Sequence, residues 1–264
     1  MKSFFDPQWQ KVFLKQGLAD FEILWQLDLT PLDKPNRGRS RDGWSSVCAM
    51  ALKLDNGLIK KLIIKRQQNH NSCTARHPFT GIPTFEKEIL SILRYNRQNI
   101  PVMKPVYFAK RTKNGVQAIL ITEFLDGFIA LDKLVKERKS AAWPRNKRNN
   151  LIKVVAQCVS RMHGSGLMHN SLYPKHIFIK QEGDVFLVRL IDLEKSLQGI
   201  FALNRRVRDL ESLHRRAEGW SKADRIRFLY AYFNTDRLDK YAKNLCRQII
   251  KKTGNKRQGD VSRV

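Results

Sequence analysis

The stretch MHNSLYPKHIFIK (168–180), followed by VFLVRLIDLEKS (185–196), decides how this chain is read. His169 opens a tight polar segment, Tyr173 and Pro174 close it, and a β-branched run follows. A second apolar run ends at Asp192. Two such runs in succession predict a β-hairpin with polar groups at both ends. Just upstream, VSRMHGSGLMH (159–169) reads as the end of a helix, stopped by a glycine pair before the loop histidine.

Outward from this stretch, the spacing predicts a helix over 149–163 that buries Leu151, Val154, Val155, Val159 and Met162. Toward the amino terminus, 47–54 and 58–65 read as strands joined by the Asp55-Asn56-Gly57 turn, a strong hairpin signal. Segments 31–43 and 69–83 read as loops. A helix over 84–95 aligns Phe85, Ile89, Ile92 and Leu93, and strands over 102–109 and 116–122 flank the Lys113-Asn114-Gly115 turn. Residues 1–30 mix aromatics and charges and are expected to pack on the outside of this first lobe. Past 123–127 the composition turns helical, with helices over 131–139, 207–217 and 224–232. A last helix is marked by Leu238, Tyr241, Leu245 and Ile249. The reading is an amino-terminal lobe over 1–123, a helical lobe over 124–250, and a basic tail over 251–264 expected to be disordered.

The formal charge of +26, from 50 Lys+Arg against 24 Asp+Glu, favours polyanionic partners: nucleic acid, anionic lipid headgroups or phosphorylated glycolipid. Zinc-finger spacing, an RNP-like aromatic motif and a helix-turn-helix signature are all missing, which makes nucleic acid the weaker choice. Cys48, Cys73, Cys158 and Cys246 form no CxxC pair, as suits a reducing cytoplasm. His70, Cys73 and His77 lie near one another but lack a fourth ligand and read as an ordinary polar loop. Phe4-Phe5 is interrupted at once by Asp6 and Pro7, so no signal peptide is expected. Nor does any run reach the 18 or so apolar residues of a membrane span. Membrane contact would be peripheral.

With these residues placed, the chain is identified as a member of the lipopolysaccharide kinase family (the Kdo/WaaP and InaA-type proteins), a bacterial branch of the protein-kinase-like fold. LYPKHIFI and IDLEKS carry the strongest likeness, to the InaA type, and the resemblance covers roughly 36–215. It implies an α+β, two-lobed fold: a small antiparallel sheet lobe with one helix, a mainly helical lobe, and an ATP site between them. Lys65 then holds the α- and β-phosphates, steadied by Glu88 on the inserted helix, with Glu86 as the fallback. Glu123 and Leu125 belong to a hinge that contacts the nucleotide. Asp192 is a buried magnesium ligand, with Glu194 where kinases have the glycine of Asp-Phe-Gly. His176 holds the place of the second magnesium ligand, though it also suits a phosphate hydrogen bond or a role orienting the loop. His169 supports the loop, and Asp209 braces it from a later helix. Only sixteen residues lie between Asp192 and Asp209, too few for a peptide-docking platform, which favours a small-molecule or glycolipid acceptor. The segment RGRSRDGW (37–44) stands in for a phosphate-covering loop, its arginines suited to phosphate.

One departure matters. Where kinases carry the catalytic aspartate, two residues after the loop histidine, this chain has Ser171. A hydroxyl is no unassisted base at pH 7, and losing a general base costs about 10²–10⁴ in rate. Phosphoryl transfer is largely dissociative, so the loss need not abolish it. The expected function is an ATP- and magnesium-dependent phosphotransferase, with Lys65, His169 and Ser171 as its candidate catalytic set. Its acceptor is a sugar of the lipopolysaccharide core or another anionic glycolipid, at the cytoplasmic face of the inner membrane. Each Lys or Arg near such a surface contributes about 1 kcal/mol. The alternative is a pseudokinase or nucleotide-binding scaffold. A nucleic-acid-binding domain would explain the charge but not Lys65, Glu88, Asp192 or the LYPKH loop.

Overall fold

The computed structural model describes residues 1, 3–37, 43–74, 77–137, 143–199 and 205–261, with side chains to 254. The chain separates into two units, Met1–Leu93 with Met103–Asp126 and Arg94–Val102 with Gly127–Val264.

In the first unit, Asp6 ends β1 (Ser3–Phe5) and caps α1 (Pro7–Lys15), accepting from the amides of Gln8 and Trp9. Pro7 suits the first helical position because it has no amide to leave unpaired. Asp20 repeats the cap for α2 (Phe21–Gln26). Trp9 and Phe13, one turn apart, share a face with which α1 enters the apolar core, and α2 adds Leu24. Trp9, Phe13 and Leu24 therefore belong to this unit's core, although the segment was expected to pack outside it.

After β2 (Asn36–Arg37), β3 (Trp44–Lys53) and β4 (Ile59–Gln68) pair antiparallel across the Asp55-Asn56-Gly57 turn, where Gly57 takes φ +79°. Cys48, Met50 and Leu52 point inward from β3, and Leu62 and Ile64 from β4. The loop expected at 31–43 contains β2, whose Asn36 and Arg37 pair with Ser45 and Trp44. Residues 38–42, and with them most of the arginine-rich RGRSRDGW segment, lie outside the described residues.

The polar loop expected at 69–83 is instead a hairpin of β5 (Asn71–Thr74) and β6 (His77–Pro83). Its strands lack the apolar alternation of a half-buried pair, and Phe79 stands 95% exposed. Backbone pairing holds it, and Gly81 (φ +64°) permits the close approach. A Cβ there would lie 2.8 Å from the Ser72 carbonyl oxygen. α3 (Thr84–Arg97) follows, its start fixed by buried Gln67, which accepts from the Thr84 hydroxyl at 2.7 Å and the Phe85 amide at 2.9 Å. β7 (Pro105–Thr112) and β8 (Val116–Glu123) complete an antiparallel sheet in the order β1-β7-β8-β4-β3-β2.

The second unit is mainly helical. β9 (Ile129–Ala130) leads into α4 (Leu131–Glu137) and α5 (Arg145–Gly164). α5 begins just after Pro144, one turn earlier than its apolar spacing indicates, because its first turn is wholly polar. β10 (Leu167–Met168) precedes the loop and a one-turn 3-10 helix, Pro174–His176. β11 (Ile177–Glu182) and β12 (Val185–Leu190) form the predicted hairpin, in register from Ile177–Leu190 to Glu182–Val185. β13 (Leu197–Gln198) pairs with β10, which ties the two ends of the loop region together. α6 (Arg206–Arg216), α7 (Lys222–Phe233) and α8 (Lys240–Val261) follow, α7 opened by a Ser221/Asp224 capping box. α8 runs through 251–261, where a disordered tail was expected. Lys, Arg and Gln are good helix formers even where no apolar face remains.

Candidate active site

The first unit supplies an ion pair. Lys65 lies opposite Leu120 in the sheet, and Leu120 packs with Phe85 and Ile89 of α3, so Lys65 faces that helix. Its ammonium sits 2.7 and 2.8 Å from the two carboxylate oxygens of Glu88. The side chains are 16% and 2% exposed. Removing one partner of so buried a pair strands a charge, at a cost of about 3–5 kcal/mol. Glu86, the fallback, is taken by Lys110 at 2.6 Å and the Met1 amine at 2.8 Å. The partner of Lys65 is Glu88. Glu123 accepts from the Trp9 indole at 2.8 Å and pairs with Lys104 at 3.0 Å, so its side chain braces α1. Leu125, two residues beyond β8, is half-buried.

The second unit holds the loop. Asn170 adopts a left-handed φ of +59° and donates to the Lys195 carbonyl at 2.8 Å. The His169 ring donates from Nε2 to the Ile191 carbonyl at 3.0 Å. His176 Nδ1 lies 2.8 Å from the Ser171 carbonyl. A carbonyl only accepts, so Nδ1 carries the proton and Nε2 of the neutral ring keeps a lone pair. That lone pair faces Asp192 Oδ2 at 3.2 Å. Burial holds His176 below its ordinary pKa, against the opposing pull of Asp192 and the Ser171 carbonyl. Two electron-pair donors thus confront each other, a position that calls for a proton or a cation.

Asp192 carries φ +61°, unusual outside glycine and a strain of about 1–3 kcal/mol. Its side chain was expected to be buried but is 34% exposed. β12 has ended at Leu190, and the left-handed turn carries the carboxylate out of the hairpin. The pair suits a hard divalent ion through the Asp192 oxygen, with His176 the poorer donor. Among the described residues no group of three or more His, Cys, Asp and Glu side chains gathers around a metal position. Magnesium ordinarily fills its remaining positions with water and substrate phosphate. Ser171 is buried, and its carbonyl accepts from both His176 Nδ1 and the Tyr173 amide.

Beneath the loop, fully buried Asp209 accepts from the His169 amide at 2.8 Å and from His163 Nε2 at 3.3 Å. Burial keeps His163 below its ordinary pKa and therefore neutral near pH 7. Its single N–H points at Asp209, and Nδ1 accepts from the Tyr232 hydroxyl at 2.8 Å. Asp209 was read from sequence as the brace. His163 and Tyr232 were not, although a histidine four residues past Val159 on the buried face of α5 was a usable signal. The Ser196 hydroxyl, which ends the IDLEKS run, lies 2.9 Å from both the Met168 carbonyl and the Tyr95 hydroxyl.

The model of the lipopolysaccharide kinase (Kdo/WaaP) family matches residues 22–232. Protein InaA of Escherichia coli is 31% identical over 196 residues, covering 73% of this chain and 87% of InaA. The lipopolysaccharide core heptose(I) kinase WaaP of Pseudomonas aeruginosa is 26% identical over 172 residues, covering 62% of this chain and 63% of WaaP. Among solved structures, WaaP in complex with acyl carrier protein superposes with a TM-score of 0.69 at 19% identity, over 97% of this chain and 99% of that one. At that identity the likeness establishes the fold, the α+β protein-kinase-like arrangement that the family resemblance implies. With the family model spanning most of its length, the chain belongs to the lipopolysaccharide kinase (Kdo/WaaP) family.

Proposed function

We propose that this chain is an ATP- and magnesium-dependent phosphotransferase whose acceptor is a sugar of the lipopolysaccharide core. The observation that carries the reading is the approach of His176 Nε2 to Asp192 Oδ2 at 3.2 Å, a pair that a divalent cation would bridge as a proton does. Bound there, magnesium would neutralise phosphate charge and align the transferring group. Lys65, fixed by Glu88, would neutralise the nucleotide phosphates, with backbone groups of the 123–127 segment left to meet the base. Asp209, through the His169 amide, would hold the loop without touching substrate. The heptose kinase among the relatives is named for the lipopolysaccharide core, and this is the support for the acceptor class. The excess of Lys and Arg suits work at the cytoplasmic face of an anionic membrane.

Ser171 favours a second reading, a nucleotide-binding scaffold without transfer. The test is transfer of labelled phosphate from ATP to purified core oligosaccharide by wild type and by Ser171→Asp. The phosphotransferase reading predicts measurable transfer by wild type and a gain of about 10² or more on restoring the base. Mg-ATP binding without transfer by either protein would establish the scaffold instead.

A further inference from the structure

We propose that Arg216, seated on the ring of Tyr173, receives an anionic group, phosphate or carboxylate, carried by the acceptor. The inference rests on the phosphotransferase reading for the identity of the ligand as an acceptor. The anion site itself rests on the geometry below.

Arg216 ends α6, and its guanidinium lies 3.9 Å from the centre of the Tyr173 ring. Tyr173 stands in the loop between Ser171 and His176, its ring 5.2 Å from that of His176. The His176 ring in turn stacks on His169 at 5.9 Å and 16°. Ring contacts thus lead from exposed Arg216 to the imidazole that faces Asp192.

A solvated arginine at a helix carboxyl end is commonplace, since it satisfies the helix dipole. Arg216 differs in lying over an aromatic ring and, among the described residues, in forming no ion pair. The acidic side chains close to it in sequence have other partners: Glu211 pairs with Arg215 at 2.8 Å, Asp209 with His163 and the His169 amide, and Glu218 with Lys136 at 3.9 Å. Among the described residues none forms an ion pair with Arg216. With its carbon over the ring, the guanidinium can still offer N–H groups to a ligand, which is how a planar fork grips phosphate or carboxylate. Exposed Lys175 adds a second cation on the same loop. The second unit also carries 32 Lys+Arg against 13 Asp+Glu, a field that concentrates anions around it.

The experiment is calorimetric titration of the full chain and of Arg216→Ala and Arg216→Lys with core oligosaccharide in four forms. These are intact, enzymatically dephosphorylated, carboxyl-reduced, and stripped of both charges. Mg-ATP titrations of the same proteins run in parallel. The expected result is that Arg216→Ala weakens the intact oligosaccharide about ten- to a hundredfold, the worth of a charged hydrogen-bond pair. Arg216→Lys should recover only part of this, because it keeps the charge but not the fork. Mg-ATP affinity should stay within about twofold throughout, showing an unharmed fold. Whichever single treatment abolishes the difference between wild type and Arg216→Ala identifies the anion. The proposal is overturned if wild type binds no form, if Arg216→Ala binds the intact form as tightly as wild type, or if the doubly stripped form binds undiminished. Failure of Mg-ATP to bind wild type would sink the phosphotransferase reading, and the oligosaccharide titrations would still decide the anion site.

Discussion

Asp192→Asn is expected to lower magnesium-dependent transfer by about 10³ or more while leaving the protein as stable as wild type or slightly more so. A bound divalent ion supplies several kcal/mol of charge stabilisation in the transition state, and each 1.36 kcal/mol is about a factor of ten. An amide is a much poorer magnesium ligand than a carboxylate, so most of that contribution goes. Stability moves the other way for a local reason. In wild type the His176 lone pair and the Asp192 carboxylate confront each other at 3.2 Å. The asparagine amide donates to that lone pair and makes a hydrogen bond worth about 1 kcal/mol. Thermal unfolding without metal, read beside the transfer rate, checks both arms. A carboxylate kept only for structure would give the opposite result, with stability lost and activity little changed.

Asp209→Ala is expected to lower stability as well as transfer, costing about 2–5 kcal/mol because two buried donors lose their acceptor. The His169 amide and the His163 ring N–H would both lose their partner in a buried site. The loop that carries Ser171 and His176 hangs from that amide, so transfer should fall as well, as a consequence of lost order. Tyr232→Phe removes only the outermost bond of the network, the 2.8 Å contact to His163, and should cost about 1 kcal/mol. Denaturant unfolding of the three proteins measures the series. Equal stability of wild type and Asp209→Ala would show that the network does not hold the loop.

Where hydrophobic periodicity places a residue, the sequence was legible. Lys65 follows Leu62-Ile63-Ile64, Glu88 precedes Ile89 on an amphipathic helix, and His176 and Asp192 bracket a hairpin whose alternation is clear. These became the Lys65–Glu88 and His176–Asp192 pairs. Contacts that leave no periodic trace were not legible. His163 and Tyr232 are 69 residues apart, and Arg216 is one of 50 cations until the fold sets it on Tyr173. The β5–β6 hairpin leaves no periodic trace because neither strand buries an apolar face. The exposure of Asp192 depends on a left-handed backbone angle at a residue type that only tolerates one. Ser171 was visible at once, but its buried carbonyl, which fixes the His176 tautomer, was not.

That this fold binds Mg-ATP through Lys65 is checked by calorimetric titration of Mg-ATP into wild type and Lys65→Ala. Wild type should bind only when magnesium is present, and the variant at least about tenfold more weakly, since Lys65 would contribute a charged contact to phosphate. Absence of binding by wild type, or equal affinity in the two proteins, would contradict it.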